Sequence, residues 1–310
     1  MLTVTEIKHP HYGRCIEISN GKLFLVATIE VGPRIISFSQ EDKENVFFED
    51  VFETVTESGE FFDNTFGKGT KWYIYGGHRL WSSPQDMYSY YPDNAPIEYE
   101  VLDKKVILKQ HIQKVTKIEL QLEVSFKNDN LVEVIHKITN KDSKEKTLSP
   151  WALTVLKGGG LEVIPLPKNN TGLAPQKIIS IWDFGAKSND KRTCFGDRFF
   201  TMKHDPENNK PIKVGLRVID NYALYFLPTK VFLKTFEYLD NVQYPDNNVN
   251  VETYQDNRFI EVETLGELKT LQTGETVTHT ECWSLFNNEH GIPELSNEEQ
   301  IEQSVRRYIK

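Results

Sequence analysis

Short runs in which apolar and polar residues alternate one by one recur along almost the whole chain, and this pattern constrains the fold more than any other feature. Successive residues of a strand point to opposite faces, so runs such as 14–19, 22–27, 101–111 and 117–126 can bury one face of a sheet and wet the other. The texture returns in 131–139, 146–156, 161–165, 212–218, 223–227, 231–236, 248–254, 258–264 and 276–286. The separators are turn formers, Asn20-Gly21, 127–130, 140–142 and Asp220-Asn221, whose side chains bond their own backbone and tolerate positive φ. Helical periodicity is confined to 298–309, where Ser296 and Glu299 have the spacing of a capping box.

This strand density, with no Pro/Ser-rich linker and no shift of composition, predicts an all-β fold. The expectation is one large antiparallel two-sheet sandwich over 1–310 as a single domain, with a short C-terminal helix on its exterior. Residues 53–75 break the alternation and read as a long loop, the kind of insertion that often carries function. Gly158-Gly159-Gly160 has neither a Lys-Ser/Thr pair nor a following helix, so it reads as a hairpin turn and not as a phosphate loop.

Composition closes off several functions. A net charge of -9 with no Lys/Arg stripe argues against a nucleic-acid partner. No apolar run approaches the roughly 20 residues of a membrane helix, and the first twenty residues lack an apolar signal core, so no membrane partner and a cytoplasmic location are expected. Cys15, Cys194 and Cys282 are odd in number and far apart, which fits buried free thiols better than disulfides or a zinc site. His9 and His11 lack a third ligand nearby and read as a loop pair, so no metal is expected.

The segment 72–91 is the most unusual. Gly76-Gly77-His78-Arg79-Leu80-Trp81 joins backbone freedom to planar donors, and Trp72, Trp81, Tyr88, Tyr90 and Tyr91 offer apolar faces of the kind that meet the C–H groups of a sugar. Further on, Glu261 and Glu263 share one face of a strand while Ile260 and Val262 share the other, so two carboxylates point the same way. On a solvated face paired glutamates are ordinary; on a concave one, crowding and partial desolvation would raise one of their pKa values into a range useful for proton transfer. Asn248, Asn250 and Glu252 on the preceding run, and Lys234 on an earlier one, could supply hydroxyl contacts. Trp151 fits either a core position or a sugar platform.

The anchors Gly32-Pro33-Arg34-Ile35, 75–84, Ser149-Pro150-Trp151, Tyr244-Pro245-Asp246 with Val251-Glu252, 261–266, and Gly274-Glu275 with Glu281 and Trp283 stand in an order and spacing that resembles the galactose mutarotase-like (aldose 1-epimerase-like) superfamily, in particular a bacterial branch bearing Gly-Gly-His-Arg-Leu-Trp. The resemblance covers most of the chain. It implies a β-supersandwich whose one concave sheet holds a small-molecule carbohydrate, without metal or organic cofactor. It marks Glu263 as the general base and leaves His78 as the candidate acid. Arg34, Arg79, Trp81, Trp151, Lys234, Glu252 and Glu261 are then candidate sugar contacts. The histidine central to active mutarotases would fall near Pro150-Trp151-Ala152, where this chain has none, and the histidine that often precedes Gly-Gly is Tyr75.

Three functions therefore stand side by side. The first is an aldose 1-epimerase-like isomerase that interconverts sugar anomers by general acid/base catalysis. The second is a non-catalytic sugar-binding protein using the same face. The third is a glycoside-processing enzyme with paired carboxylates, which needs them on opposite sides of the scissile bond rather than on one strand.

Overall fold

The computed structural model describes residues 2–184 and 189–309. Two large antiparallel sheets face each other. The first runs, in spatial order, Thr3–His9, Gly13–Ser19, Phe24–Thr28, Ile35–Ser39, His78–Ser83, Lys146–Lys157, Phe259–Leu265, Val251–Gln255, Ile212–Leu216 and Ile179–Ile181, with Lys269–Leu271 also beside Lys146–Lys157. The second runs Thr193–Phe195, Phe199–Lys203, Leu161–Pro165, Tyr222–Phe226, Lys230–Phe236, Thr276–Asn287, Leu131–Asn140, Ile118–Asn128, Lys105–Lys109 and Glu98–Val101. This is the all-β sandwich that the alternation predicts.

The core lies between the sheets. Phe38, Leu80, Leu156 and Ile260 of the first sheet meet Leu122, Val134, Phe232 and Trp283 of the second, all buried. Phe47 sits among Phe38, Phe232 and Trp283, with ring centroids 5.7–5.9 Å apart. Each such side chain contributes about 1.5–3 kcal/mol by leaving water.

A polar cluster crosses this core. The ring of His78 bonds Thr154 Oγ1 (2.8 Å) and His136 Nε2 (2.7 Å). His136 Nδ1 meets the carbonyl of His279 (3.0 Å), and His279 Nε2 meets Thr264 Oγ1 (2.6 Å). Lys234 pairs with Glu281 at 2.7 Å and donates to the Val262 carbonyl at 2.9 Å. Burial pushes the His136 and His279 pKa values down to about 3 and holds His78 well below its ordinary value, so the three rings are neutral in the fold.

The glycine pair before His78 has a steric cause. Tyr75, Gly76 and Gly77 all have positive φ (54°, 96°, 64°). A Cβ on Gly76 would lie 2.1 Å from the Phe48 carbonyl oxygen, and one on Gly77 would lie 2.2 Å from that of Ile35. The close approach lets Gly77 N–H bond Phe48 O (2.8 Å) and Gly77 O accept from Val155 N–H (2.9 Å), which fixes the start of His78–Ser83.

Four local expectations are corrected. The run 101–111 is not one strand: Val101 ends the strand Glu98–Val101, Leu102 N–H closes a turn on Lys105 O (2.8 Å), and a second strand covers Lys105–Lys109. Gly158–Gly160 carries the chain from the first sheet to the second instead of closing a hairpin, since Lys146–Lys157 and Leu161–Pro165 belong to different sheets. The C-terminal helix is Glu298–Val305, shorter than 298–309, and Asn297 caps it by accepting from Gln300 N–H (3.1 Å), in place of the Ser296/Glu299 pair. It docks Ile301 and Val305 on the outer face of the second sheet, as an exterior helix should. Residues 53–75 are not bare loop: Thr56–Glu57 pairs with Trp72–Tyr73, and Glu60–Phe66 is helical. Of the thiols, Cys15 is buried while Cys194 and Cys282 are half-buried. No helix among the described residues is long and apolar enough to cross a membrane.

Two outcomes follow from this packing. Unfolded histidines titrate near 6.5, whereas His136 stays neutral in the fold down to about 3, so its contribution is whole above 6.5 and is lost as the pH falls toward 3. His136→Gln should therefore lower the thermal midpoint overall yet make it less steep than wild type between pH 6.5 and 4; parallel curves in melting experiments would contradict a buried neutral ring. Gly77→Ala places a methyl group against backbone and should cost more than about 1 kcal/mol in urea titrations, with Gly21→Ala, whose Cβ meets nothing within 4 Å, as the milder control at positive φ.

Candidate functional site

The outward face of the first sheet is built in rows set by register. Lys213 stands across from Tyr254, and Tyr254 across from Glu261. In the next row Gly215, Glu252, Glu263, Leu153 and Arg79 follow strand by strand, and in the next Leu265, Trp151 and Trp81. The bare Gly215 leaves room for Trp182, whose ring atoms lie 3.2 Å from where its Cβ would be. Above the rows the chain folds back: Asp50 accepts from Thr54 and Val55 N–H (3.0 and 2.8 Å), and Arg258 donates to Thr54 O (3.0 Å), pinning the segment 54–57 as a wall.

Between wall and sheet lies a pocket of about 370 Å³. Arg79, Trp81, Trp151, Lys213, Tyr254 and Glu261 form its sheet side, and Trp72, Gln85, Tyr90, Phe184 and the 54–57 segment its opposite side. The volume falls in the range of small-molecule sites.

The charges are interlocked. Arg79 donates to Glu261 Oε1 (3.0 Å), and its guanidinium lies 4.5 Å over Trp81. Lys213 reaches Glu252 (2.7 Å) and Glu263 (3.1 Å) while lying 4.3 Å from the ring of Trp151 and 5.0 Å from that of Trp182. Glu263 Oε2 also accepts from Trp151 Nε1 (2.7 Å), while its Oε1 is buried without a donor. Glu252 holds Lys213 as an ion pair, but neither of its oxygens has a well-aligned hydrogen bond.

Burial pushes the Glu252 carboxyl up to about 8; Lys213 opposes the shift and Glu263 reinforces it. Glu261 is raised by burial too, against the pull of Arg79 and with the push of Glu263. Burial alone would lower Lys213, but the Glu263 and Glu252 carboxylates overcome it and hold the ammonium above its ordinary range.

Of the residues singled out from the sequence, Arg79, Trp81, Trp151 and Glu261 line the pocket. Glu263 and Glu252 stand directly behind Lys213. Three others are elsewhere. His78 neighbours Arg79 on a strand, so it faces the inter-sheet core and meets Thr154 and His136 there. Lys234 belongs to the second sheet and spends its charge on Glu281 inside the core. Arg34 is buried against Asp93 (2.7 Å) and lies 5.9 Å from the ring of Tyr75. None of the three lines the pocket.

Among the described residues, one trio brings metal-ligating atoms within 4.8 Å of one another: His78, His136 and Glu281. Their donors are already committed. His136 Nδ1 bonds a carbonyl and so carries hydrogen, which leaves Nε2 to accept from His78, while Glu281 holds Lys234 and Trp283 Nε1. The trio is a hydrogen-bond network, and a cation there would have to displace an ammonium.

Sequence reasoning missed Lys213, Tyr254 and Arg258. The signal for Lys213 was a lone charge within the apolar strand Ile212–Leu216, which an exposed sheet face also explains.

No protein-family model matches the chain, and no curated protein matches it. Solved structures do. A galactose mutarotase-like protein from Lactobacillus casei is similar over 88% of this chain and 100% of its own, with 12% identity and a TM-score of 0.55. A putative mutarotase from Salmonella typhimurium matches over 93% of this chain and 97% of its own, at 11% identity and a TM-score of 0.57. A galactose 1-epimerase from Lactobacillus acidophilus matches over 93% and 100%, at 12% identity and a TM-score of 0.51. With identities this low the likeness is one of architecture, and the chain has the galactose mutarotase-like β-sandwich fold.

Proposed function

We propose that this protein binds a carbohydrate of about monosaccharide size in the pocket and interconverts its anomers, as an aldose 1-epimerase-like isomerase. The observation that carries the reading is the convergence of Arg79, Glu261, Trp81 and Trp151 on one hollow, with Glu263 behind it, on the outer face of a mutarotase-like sheet. Glu261 can accept from hydroxyl groups, Arg79 and Lys213 can donate to them, and Tyr90 and Tyr254 offer ring surface.

A second reading, sugar binding without catalysis, draws support from the position of His78. The imidazole that the resemblance offers as acid is turned into the core, and among the described residues no histidine lines the pocket.

Calorimetric titration with D-glucose, D-galactose and their 6-phosphates separates these readings when paired with saturation-transfer NMR of anomer exchange. Binding of at least one aldose is expected, with exchange faster than in buffer. Arg79→Met removes the donor that holds Glu261 and should weaken that binding about tenfold or more, the usual scale for loss of one partner of a buried charged pair. Failure of the wild-type protein to bind any of the four sugars would dismiss both readings.

A further inference from the structure

With His78 outside the pocket, the acid needed for ring opening has to come from another side chain. Resting on the reading of the pocket as an anomer-exchange site, we propose that Glu261 and Lys213 are its proton-transfer pair. Glu261 takes the proton of the anomeric hydroxyl, Lys213 supplies one to the ring oxygen, and Glu252 and Glu263 are positioning residues that hold Lys213.

Both members of the pair line the pocket, and Glu263 does not. They stand in one cross-strand row, separated by Tyr254, so their backbones are two strand spacings apart, about 9.5 Å. Tyr254 projects from the same face between them, so a sugar engaged by both lies over the Tyr254 ring, with Glu261 on one side of it and Lys213, drawn toward Glu252 and Glu263, on the other. Glu263 Oε2 is committed to Trp151 Nε1 and to Lys213, and its other oxygen is sealed from solvent. Glu261 gives one oxygen to Arg79 and is the less encumbered base.

The groups around Glu261 are Arg79 from His78–Ser83, Lys213 from Ile212–Leu216, Tyr254 from Val251–Gln255, Glu263 on its own strand, and Tyr90. Glu57 and Arg258 complete the charged rim. Burial raises the proton affinity of Glu261, which brings a carboxylate closer to working strength as a base near neutral pH. The two carboxylates behind Lys213 keep it charged and hold its proton more tightly than water would, so the proton passes only as the ring oxygen becomes a strongly basic alkoxide on bond breaking.

The step balances without a co-reactant. The O–H electron pair of the anomeric hydroxyl forms the C=O bond as its proton passes to Glu261. The bond from C1 to the ring oxygen breaks with its pair going to that oxygen, which takes a proton from Lys213. After rotation about the C1–C2 bond the same transfers run in reverse, and both side chains return to their starting states.

Exchange of D-glucose and D-galactose anomers is followed by saturation-transfer NMR, with binding measured in parallel, for wild type, Glu261→Gln, Lys213→Arg and Glu263→Gln. Glu261→Gln should slow exchange roughly 100-fold or more while binding stays within about fivefold. Lys213→Arg keeps the cation and hence the fold but presents a group that does not give up its proton, so exchange should fall similarly with binding retained. Glu263→Gln should keep measurable exchange, with the alkaline limb of its rate profile moved to lower pH, because Lys213 loses one of the anions that hold its proton. Exchange within about threefold of wild type in Glu261→Gln, or in Lys213→Arg, would overturn the pair. A wild-type protein that binds sugar without exchanging it would also overturn the pair while leaving the binding site standing.

Discussion

The middle of the first sheet is covered on both sides, and every residue of Phe259–Leu265 is buried. On one side the sequence supplies Ile260 and Val262 for the core; on the other it supplies Glu261 and Glu263, which water cannot reach freely. Taking such charges out of water costs several kcal/mol each unless partners are built in. The structure answers with Arg79 on Glu261 and Lys213 on Glu263 and Glu252, and with indole rings laid against both cations. The pocket is what remains above this arrangement of matched charges, so its shape and its chemistry have the same origin.

The same strands carry a second polar system on their other face. Thr154 and Thr264 project into the core and meet His78 and His279, and through them His136, Glu281 and Lys234 of the second sheet. A hydrogen-bond network in an apolar sandwich contributes less to stability than to alignment, because its donors and acceptors match in one register only. A slip of one residue in His78–Ser83 would send Arg79 into the core and His78 into the pocket. The histidine of Gly-Gly-His-Arg-Leu-Trp is thus explained by registration of the sheets, and the arginine beside it by the pocket.

Most of the fold was readable from alternation because a strand with one wet or one polar face advertises its period. His78 fits either a ligand contact or a satisfied structural histidine when taken alone, and the structure places it in the core. Adjacent residues on a strand face opposite ways, so His78 and Arg79 could not both serve one pocket, and this was already implied by the pattern that identified the strand. Other features had no local signature. Gly158–Gly160 looks like a hairpin turn because its length suits one, and only the sheet to which each flanking strand belongs shows otherwise. Lys213 carries the same symbol as any solvated lysine, and its role comes from Glu252 and Glu263, which lie 39 and 50 residues away in the sequence. Residues 53–75 were legible as an insertion of consequence, but the way that Asp50 and Arg258 fold them over the sheet depends on contacts across the chain.

The crossing at Gly158–Gly160 has a consequence for how the chain comes together. Lys146–Lys157 pairs on one edge with His78–Ser83, which precedes it in the chain, but its other edge is filled by Phe259–Leu265 and Lys269–Leu271, after the second sheet has received five intervening strands. Closing so long an excursion is entropically slow, and during biosynthesis a long apolar ribbon must wait with one side unzipped until Phe259–Leu265 has left the ribosome. Assembly of the half-made sandwich is accordingly a contest between zipping up and sticking to neighbours.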